Sequence, residues 1–308
     1  RRNLVKLKAP ADLVQCVSIK NSLEITKDLS SKADLVIATG DKKIVKTSYT
    51  SGKPSMGVSL GNVPVIISLN TNFNKAVEQI IASKTFDNAT SCSSENSLIL
   101  QNSNYSKIKK ILQNKGAYFT NKSETKIISD NLFVNNKLNP QLICKPIDVF
   151  LDLLNIEKEN RKNIKFLAVD YKGVGNNYPL SGEKLSLILT IYKVHSFDES
   201  IKLAKKIINY QGKGHSAGIY SNNTKEIQRL AENLDVSKII VNQPHALSNG
   251  GGINNSLPFS FTIGCGSWGE NSFSENLNIN HFYNKTTISK PIKKRIILSE
   301  KIFNKLNS

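Results

Sequence analysis

Residues 85–97 read TFDNATSCSSENS. Cys92 stands there among small and polar residues, between an amphipathic stretch and an apolar one. A structural cysteine behaves as a small hydrophobe and keeps apolar company. A nucleophilic thiolate needs partial exposure and dipoles that favour the anion, and Asn88, Ser91, Ser93 and Ser94 can supply them. Two more side chains invite chemistry. Glu183, in GEKLS, reads by itself as a surface carboxylate beside Lys184. His215, in YQGKGHSAG, lies in a glycine-rich turn, either facing a reacting group or hydrogen-bonded like any other histidine. His195, His245 and His281 show no ligand spacing, so no metal is assigned.

The elements that must position these groups alternate between strand and helix. Asp34–Thr39 reads as a short buried strand, followed by a helix at Lys42–Thr50 and strands at Ser55–Ser59 and Val63–Ile67. Phe73, Ala76, Val77, Ile80 and Ile81 form the stripe of a core-facing helix over 73–84, with Asn70, Thr71 or Asn72 to cap it. Cys92 then falls in a loop before a strand at Leu98–Leu100. Tyr105, Ile108, Ile111 and Leu112 mark a helix ended by Gly116, and Asp148–Leu154 another. Ile164–Val169 and Leu185–Val194 read as strands and Asp198–Asn209 as a helix. Strand Gly218–Tyr220, helix Lys225–Leu234 and strand Lys238–Val241 complete the series. Such alternation predicts an α/β protein with parallel sheets. NGGGINN at 249–255 is a loop, and residues 264–272 are rich in Gly and Ser.

With 308 residues and 39% hydrophobic content the chain can bury a sizeable core. Val63–Leu69 and Leu185–Ile191, its longest apolar runs, are too short to cross a bilayer. Cys16, Cys92, Cys144 and Cys265 show neither metal spacing nor the density of a disulfide scaffold, which fits a reducing, cytoplasmic setting. The net charge of +18 raises nucleic acid as a partner, yet only five of the 42 basic residues are arginine. The lysines are scattered, not interleaved with aromatics, so the charge reads as a solvated surface. The chain begins with Arg1 and its one methionine is Met56, the pattern of a processed chain or a fragment.

TFDNATSCSSENS resembles the nucleophile segment of the CoA-acylating aldehyde dehydrogenases. Further blocks follow that family in order: ATGDKKIVKTSYTSGKP at 38–54 with GVSLGNVPVII at 57–67, GEKLS at 182–186, YQGKGHSAG at 210–218, and LPFSFTIGCGSWGENSFSENL at 257–277. The similarity covers roughly residues 30 to 292, and NATSCSSENS and LPFS are most like the branch that acts on sulfoacetaldehyde. The resemblance implies an aldehyde dehydrogenase-like α/β fold: the remaining half of a Rossmann-type dinucleotide-binding domain at 1–68, a catalytic domain at 69–262 and a C-terminal segment at 263–308. It implies Cys92 and His215 as catalytic residues and Thr39, Gly40, Gly61, Asn62 and Glu183 as cofactor contacts, with Glu183 on the nicotinamide ribose. The implied cofactors are NAD or NADP, with coenzyme A as co-substrate. A short aldehyde is the implied substrate, and a homo-oligomer the implied assembly at full length. Hydrolytic relatives carry a glutamate general base in the segment matching Gly57–Asn62, and GVSLGN has no carboxylate, which suits thiolysis over hydrolysis.

The chain departs from the family pattern at several points. Gly40-Asp41-Lys42-Lys43 stands where glycines usually open the helix that meets the dinucleotide, and Asp41 would repel a pyrophosphate. Ser59 and Glu270 replace usual glycines, and Lys213 a small residue. The family's first hundred-odd residues, with their oxyanion asparagine, precede the point where this chain starts, so the chain as given is expected to be weakly active. A non-catalytic paralogue that keeps the fold as a binding partner is the rival expectation.

Overall fold

A computed structural model describes residues 2–20, 22–40, 42–135, 137–157 and 161–291. Asp41, and with it the expected repulsion of a pyrophosphate, lies outside the described residues. The strands run β1 Val36–Thr39, β2 Ser55–Val58, β3 Val63–Ile67, β4 Glu95–Gln101, β5 Ala117–Phe119, β6 Phe133–Val134, β7 Lys137–Leu138, β8 Phe166–Asp170, β9 Ile188–Val194, β10 Gly214–Tyr220 and β11 Val236–Val241. Seven of them form one parallel sheet in the order β11-β10-β3-β4-β9-β8-β5. β1 and β2 pair in a separate parallel sheet with the helix Lys42–Tyr49 between them, and β6–β7 is a small hairpin.

Strand alternation sends neighbouring side chains to opposite faces, and both faces of the large sheet are buried. Val65, Ile67, Leu98 and Leu100 pack on one face under Ala76, Val77 and Ile80 of the helix Phe73–Thr85 and Ile108 and Leu112 of the helix Asn102–Asn114. Ile66, Ile99 and Ile219 pack on the other under Ile201, Ala204, Ile207 and Ile208 of the helix Phe197–Tyr210. Continuous apolar strands are the mark of a parallel sheet covered on both sides. Each such side chain contributes roughly 1.5–3 kcal/mol on burial. Asn72 caps the helix Phe73–Thr85 by accepting from Lys75 N at 3.1 Å, one of the three capping residues expected.

The expected elements are present, with differences at their ends. β4 begins at Glu95, not Leu98, because Glu95, Asn96 and Ser97 are buried polar residues that continue the ladder. β10 begins at Gly214, so His215 belongs to a strand rather than a turn. Gly212 and Gly214, at φ of 90° and 85°, make the turn just before it. The helices Leu23–Lys32 and Lys122–Leu132 carry too little apolar periodicity to stand out in the sequence. Residues 1–278 form one compact unit, and the separate unit 279–308 shows a short 3-10 turn at Ile279–His281. Among the described residues no helix is long and apolar enough to cross a membrane.

Candidate active site

The Cys92 loop leaves the helix Phe73–Thr85 through three consecutive left-handed residues, Asp87, Asn88 and Ala89, at φ of 47°, 51° and 58°. Non-glycine residues in that region cost on the order of 1 kcal/mol each and persist where the surroundings hold them. The hold is a clamp at the base of the loop. Ser83 Oγ donates to Glu95 Oε2 at 2.7 Å, and Lys84 Nζ donates to Glu95 O at 2.8 Å. The clamp thus joins the last turn of the helix to the first residue of β4. Ala246 N donates to Ser83 Oγ at 2.7 Å and His245 N to Glu95 Oε1 at 3.2 Å, which adds the chain after β11. Lys84 and Glu95 are both buried, and burial pushes the lysine down and the carboxyl up while each partner opposes the other's shift.

Cys92 is half-buried. His215 Nε2 lies 3.3 Å from its sulfur, and His215 Nδ1 lies 2.8 Å from Ser216 Oγ. Desolvation pushes the Cys92 thiol up to about 12, with Glu183 and Cys265 adding in the same direction. Desolvation drives His215 down to about 3, helped by His245 and Lys238. The resting pair near neutral pH is therefore a thiol beside a neutral imidazole, not a thiolate–imidazolium ion pair.

Cys92 opens on a cleft of about 750 Å³, whose walls include Thr39, Gly40 and Glu183. Leu60, Leu185, Leu247, Phe259, Phe261 and Ile263 supply its apolar surface. Four of the seven site residues named from the sequence thus share one cavity. The other three stand behind its wall. His215 is fully buried under Cys92, not at the mouth. Gly61 N donates to Glu183 Oε1 at 3.1 Å, and a Cβ on Gly61 would lie 2.1 Å from the Cys92 carbonyl oxygen. Asn62 donates to Ser181 O at 3.0 Å and, longer, to Ile207 O at 3.4 Å. Gly61 and Asn62 support the wall through these contacts and are not among the cleft-lining residues. Lys213 pairs with Asp235 at 3.3 Å and is not among the cleft-lining residues.

Residues 183–270 match the aldehyde dehydrogenase family. The chain is 38% identical over 287 residues to a sulfoacetaldehyde dehydrogenase (acylating) of Cupriavidus necator, covering 93% of this chain and 58% of that protein. It is 36% identical over 308 residues to a sulfoacetaldehyde dehydrogenase of an Acholeplasma species, covering 98% and 63%. The crystal structure of an acetylating aldehyde dehydrogenase from Geobacillus thermoglucosidasius superposes with a TM-score of 0.87 at 34% identity, over 95% of this chain and 65% of that one. Residues 183–270 thus carry an aldehyde dehydrogenase domain, and nearly the whole chain is similar to acylating members of that family. The chain spans about three-fifths of the length of the curated relatives named here.

Glu183 is the carboxyl that shares this cleft with Cys92. It is buried beside Gly61 N, and desolvation raises it from 4.5 to about 8, against the opposing effects of that N–H and of Lys184. Lys184, fully buried, donates to Leu180 O and Gly182 O, each at 3.0 Å, and burial holds it well below the usual lysine range. It fixes the turn that carries Glu183. A carboxyl raised on folding binds more protons folded than unfolded between the two values, so it lowers stability as pH rises through that window. Glu183→Gln removes this effect. Its melting temperature is expected to equal that of the parent below pH 4.5, part from it upward between about pH 4.5 and 8, and stay higher by several degrees above. Thermal unfolding across pH, comparing the two chains, checks this.

The dinucleotide positions fit in part. Thr39 and Gly40 close β1 at the cleft, and a Cβ on Gly40 would meet Ile44 Cδ1 at 2.9 Å. The Glu183 carboxylate faces the same space, suited to accept from ribose hydroxyls. Glu270, at φ 59°, holds the left-handed conformation a glycine takes freely, and Ser59 Oγ donates to Gly269 O at 3.2 Å. Ser93, singled out in the sequence as a donor beside Cys92, is buried there, whereas sequence reasoning missed Glu95, Ser216, His245 and Asn249, all buried and hydrogen-bonded around it. The one available signal was the density of polar residues inside segments that otherwise read as strands.

Proposed function

We propose that the whole protein oxidises a short aldehyde to its acyl-CoA through a thioester on Cys92. The observation that carries this is one cleft holding both Cys92 and Glu183, beside a 57–62 segment with no carboxylate to activate water. In this reading the Cys92 sulfur, as thiolate, adds to the aldehyde carbon, and the resulting thiohemiacetal loses hydride to leave a thioester on Cys92. NAD(P)+ supplies the hydride acceptor and coenzyme A the thiol that carries the acyl group away, so one aldehyde, one coenzyme A and one NAD(P)+ give acyl-CoA, NAD(P)H and a proton. Splitting the transfer into two steps through sulfur is the gain of covalent catalysis. His215 sits against the sulfur, and Glu183 would hold the ribose. Ionised Glu183 accepts from ribose hydroxyls more strongly than the protonated acid, so dinucleotide affinity is expected to rise as pH approaches about 8.

Two readings of the aldehyde follow from different observations. Sulfoacetaldehyde is supported by the relatives with 38% and 36% identity. An uncharged short aldehyde is supported by the cleft itself. Its ionisable lining among the described residues is two acids, Asp87 and Glu183, with no basic side chain to meet a sulfonate. Initial rates with sulfoacetaldehyde and propionaldehyde, at fixed NAD+ and coenzyme A, separate the two. A ten-fold or greater preference for the sulfonate supports the first reading, and the reverse supports the second. Incubation with aldehyde and NAD+ but no coenzyme A, followed by peptide mass spectrometry, tests the shared chemistry: acyl mass on Cys92 is expected. Acyl mass absent from Cys92 would leave the non-catalytic paralogue.

A further inference from the structure

Asn249 follows the short helix His245–Ser248 and is fully buried, with its N–H bonded to His245 O at 2.9 Å and its carbonyl accepting from Asn276 Nδ2 at 3.0 Å. Its backbone is therefore pinned, and its carboxamide reaches two hydroxyls at once. Asn249 Nδ2 donates to Ser93 Oγ at 2.9 Å and to Ser216 Oγ at 3.2 Å. These hydroxyls flank the sulfur site on two sides. Ser93 follows Cys92 directly, and its side chain favours the Cys92 anion against the effect of burial. Ser216 Oγ meets His215 Nδ1 at 2.8 Å, and His215 Nε2 meets the sulfur.

A hydroxyl has one proton and two lone pairs. Once an N–H of Asn249 occupies a lone pair on each serine, each proton must go elsewhere. For Ser216, among the described residues, the remaining partner is His215 Nδ1. For Ser93, whose Oγ among the described residues meets Asn249 Nδ2, the proton is left to turn toward the neighbouring thiol. The orientation of the amide decides this. Asn249 Oδ1 is buried and, among the described residues, has no hydrogen-bond partner. Turning the amide over would aim Oδ1 at both serines but leave both N–H groups unpaired, and two orphaned donors cost more than one orphaned acceptor.

We propose that Asn249 sets the proton arrangement around Cys92, holding His215 as the Nε2–H tautomer so that the imidazole donates to the sulfur instead of accepting from it. Asn249 is thus a positioning residue that acts through Ser93 and Ser216. His215 Nε2–H then donates to the sulfur at 3.3 Å. Burial raises the thiol, and the Ser93 side chain and the Cys92 backbone oppose the rise. A neutral donor suits the place, since the imidazolium is excluded at His215. The inference rests on Cys92 being the nucleophile, and it also states something about His215 that holds whether or not the chain turns over.

The test uses the full chain, labelled with 15N in histidine, as parent, Asn249→Asp and Ser216→Ala. Ring nitrogen shifts report directly which nitrogen carries the proton. The parent is expected to show His215 protonated on Nε2. In Asn249→Asp the carboxylate accepts from both serines, Ser216 Oγ then accepts from His215, and the proton moves to Nδ1. In Ser216→Ala the donor to Nδ1 is gone and the tautomer preference weakens. The pH profile of Cys92 alkylation by iodoacetamide, with exposed Cys16 as internal standard, should move up by at least about one unit in Asn249→Asp. That is about ten-fold slower labelling at a fixed pH below the thiol value. A parent protonated on Nδ1 overturns the proposal, as does an unchanged tautomer in both variants. Failure of Cys92 to take an acyl group from aldehyde and NAD+ would sink the nucleophile assignment and leave the tautomer result standing, so the two can be told apart.

Discussion

Cys92→Ala is expected to abolish acyl-enzyme formation and to lower any aldehyde oxidation by about 10⁴-fold or more, the scale on which removal of a covalent nucleophile is felt. The fold should survive. Cys92 is half-buried in a loop held by the Ser83–Glu95 and Lys84–Glu95 contacts, none of which involves its side chain. His215 loses one neighbour and keeps Ser216. The variant should therefore melt within a few degrees of the parent while losing the acyl mass entirely. A variant that still accumulated acyl mass on another residue would move the chemistry away from this loop. The other thiols give internal controls: Cys16 is exposed, Cys144 half-buried and Cys265 buried.

The second large effect comes from a residue with no side chain. Gly61→Ala places a methyl 2.1 Å from the Cys92 carbonyl oxygen and 2.9 Å from its carbonyl carbon. Both are backbone atoms of a loop clamped at its base, so no flexible chain end can yield. The Gly61 N–H is at the same time the donor to Glu183 Oε1. One substitution thus drives the sulfur and the carboxylate apart. Displacement of about 1 Å at a reacting centre can cost about 100-fold in rate, and forced overpacking typically costs about 1–3 kcal/mol in stability. Acylation of Cys92 measured by mass spectrometry is expected to fall by about that 100-fold, with a clear drop in melting temperature. Gly252→Ala is the matched control, since a Cβ there meets nothing within 4 Å. Equal behaviour of the two variants would remove Gly61 from the architecture of the cleft.

The electrostatics of the cleft give these experiments a common setting. With Cys92 raised to about 12 and Glu183 to about 8, both groups hold protons near neutral pH. Both shifts have the same first cause, desolvation in a wall built from apolar strands. A positive charge entering the cleft would favour both anions, so the groups are placed to respond to what binds.

The alternation of strands and helices was legible in the chain because it rests on local periodicity. Val63–Ile67, the stripe from Phe73 to Ile81 and the amphipathic helix after Ser196 each announce themselves within a dozen residues. TFDNATSCSSENS and GEKLS were legible for a different reason: reactive residue types stand in polar company where packing does not demand them. Their roles came from the family resemblance, not from spacing. His215 was read in a turn and β4 was started after Glu95 because polar residues in a buried strand look like turn or loop until their partners are known. Those partners lie far along the chain, with Cys92 and His215 separated by 123 positions and Glu95 and His245 by 150.

The sequence alone thus determined which elements form, which face each buries, and which thiol and carboxylate could react. Only the tertiary structure decided that Cys92, Glu183, Thr39 and Gly40 share one cleft, and that His215, Asn62 and Gly61 stand behind it. It alone gave Asn249 two serines to orient. The physical reason is one of range. Secondary structure follows from hydrogen bonds and apolar contacts between near neighbours, whereas a site is made of contacts whose chain separation carries no periodic signal.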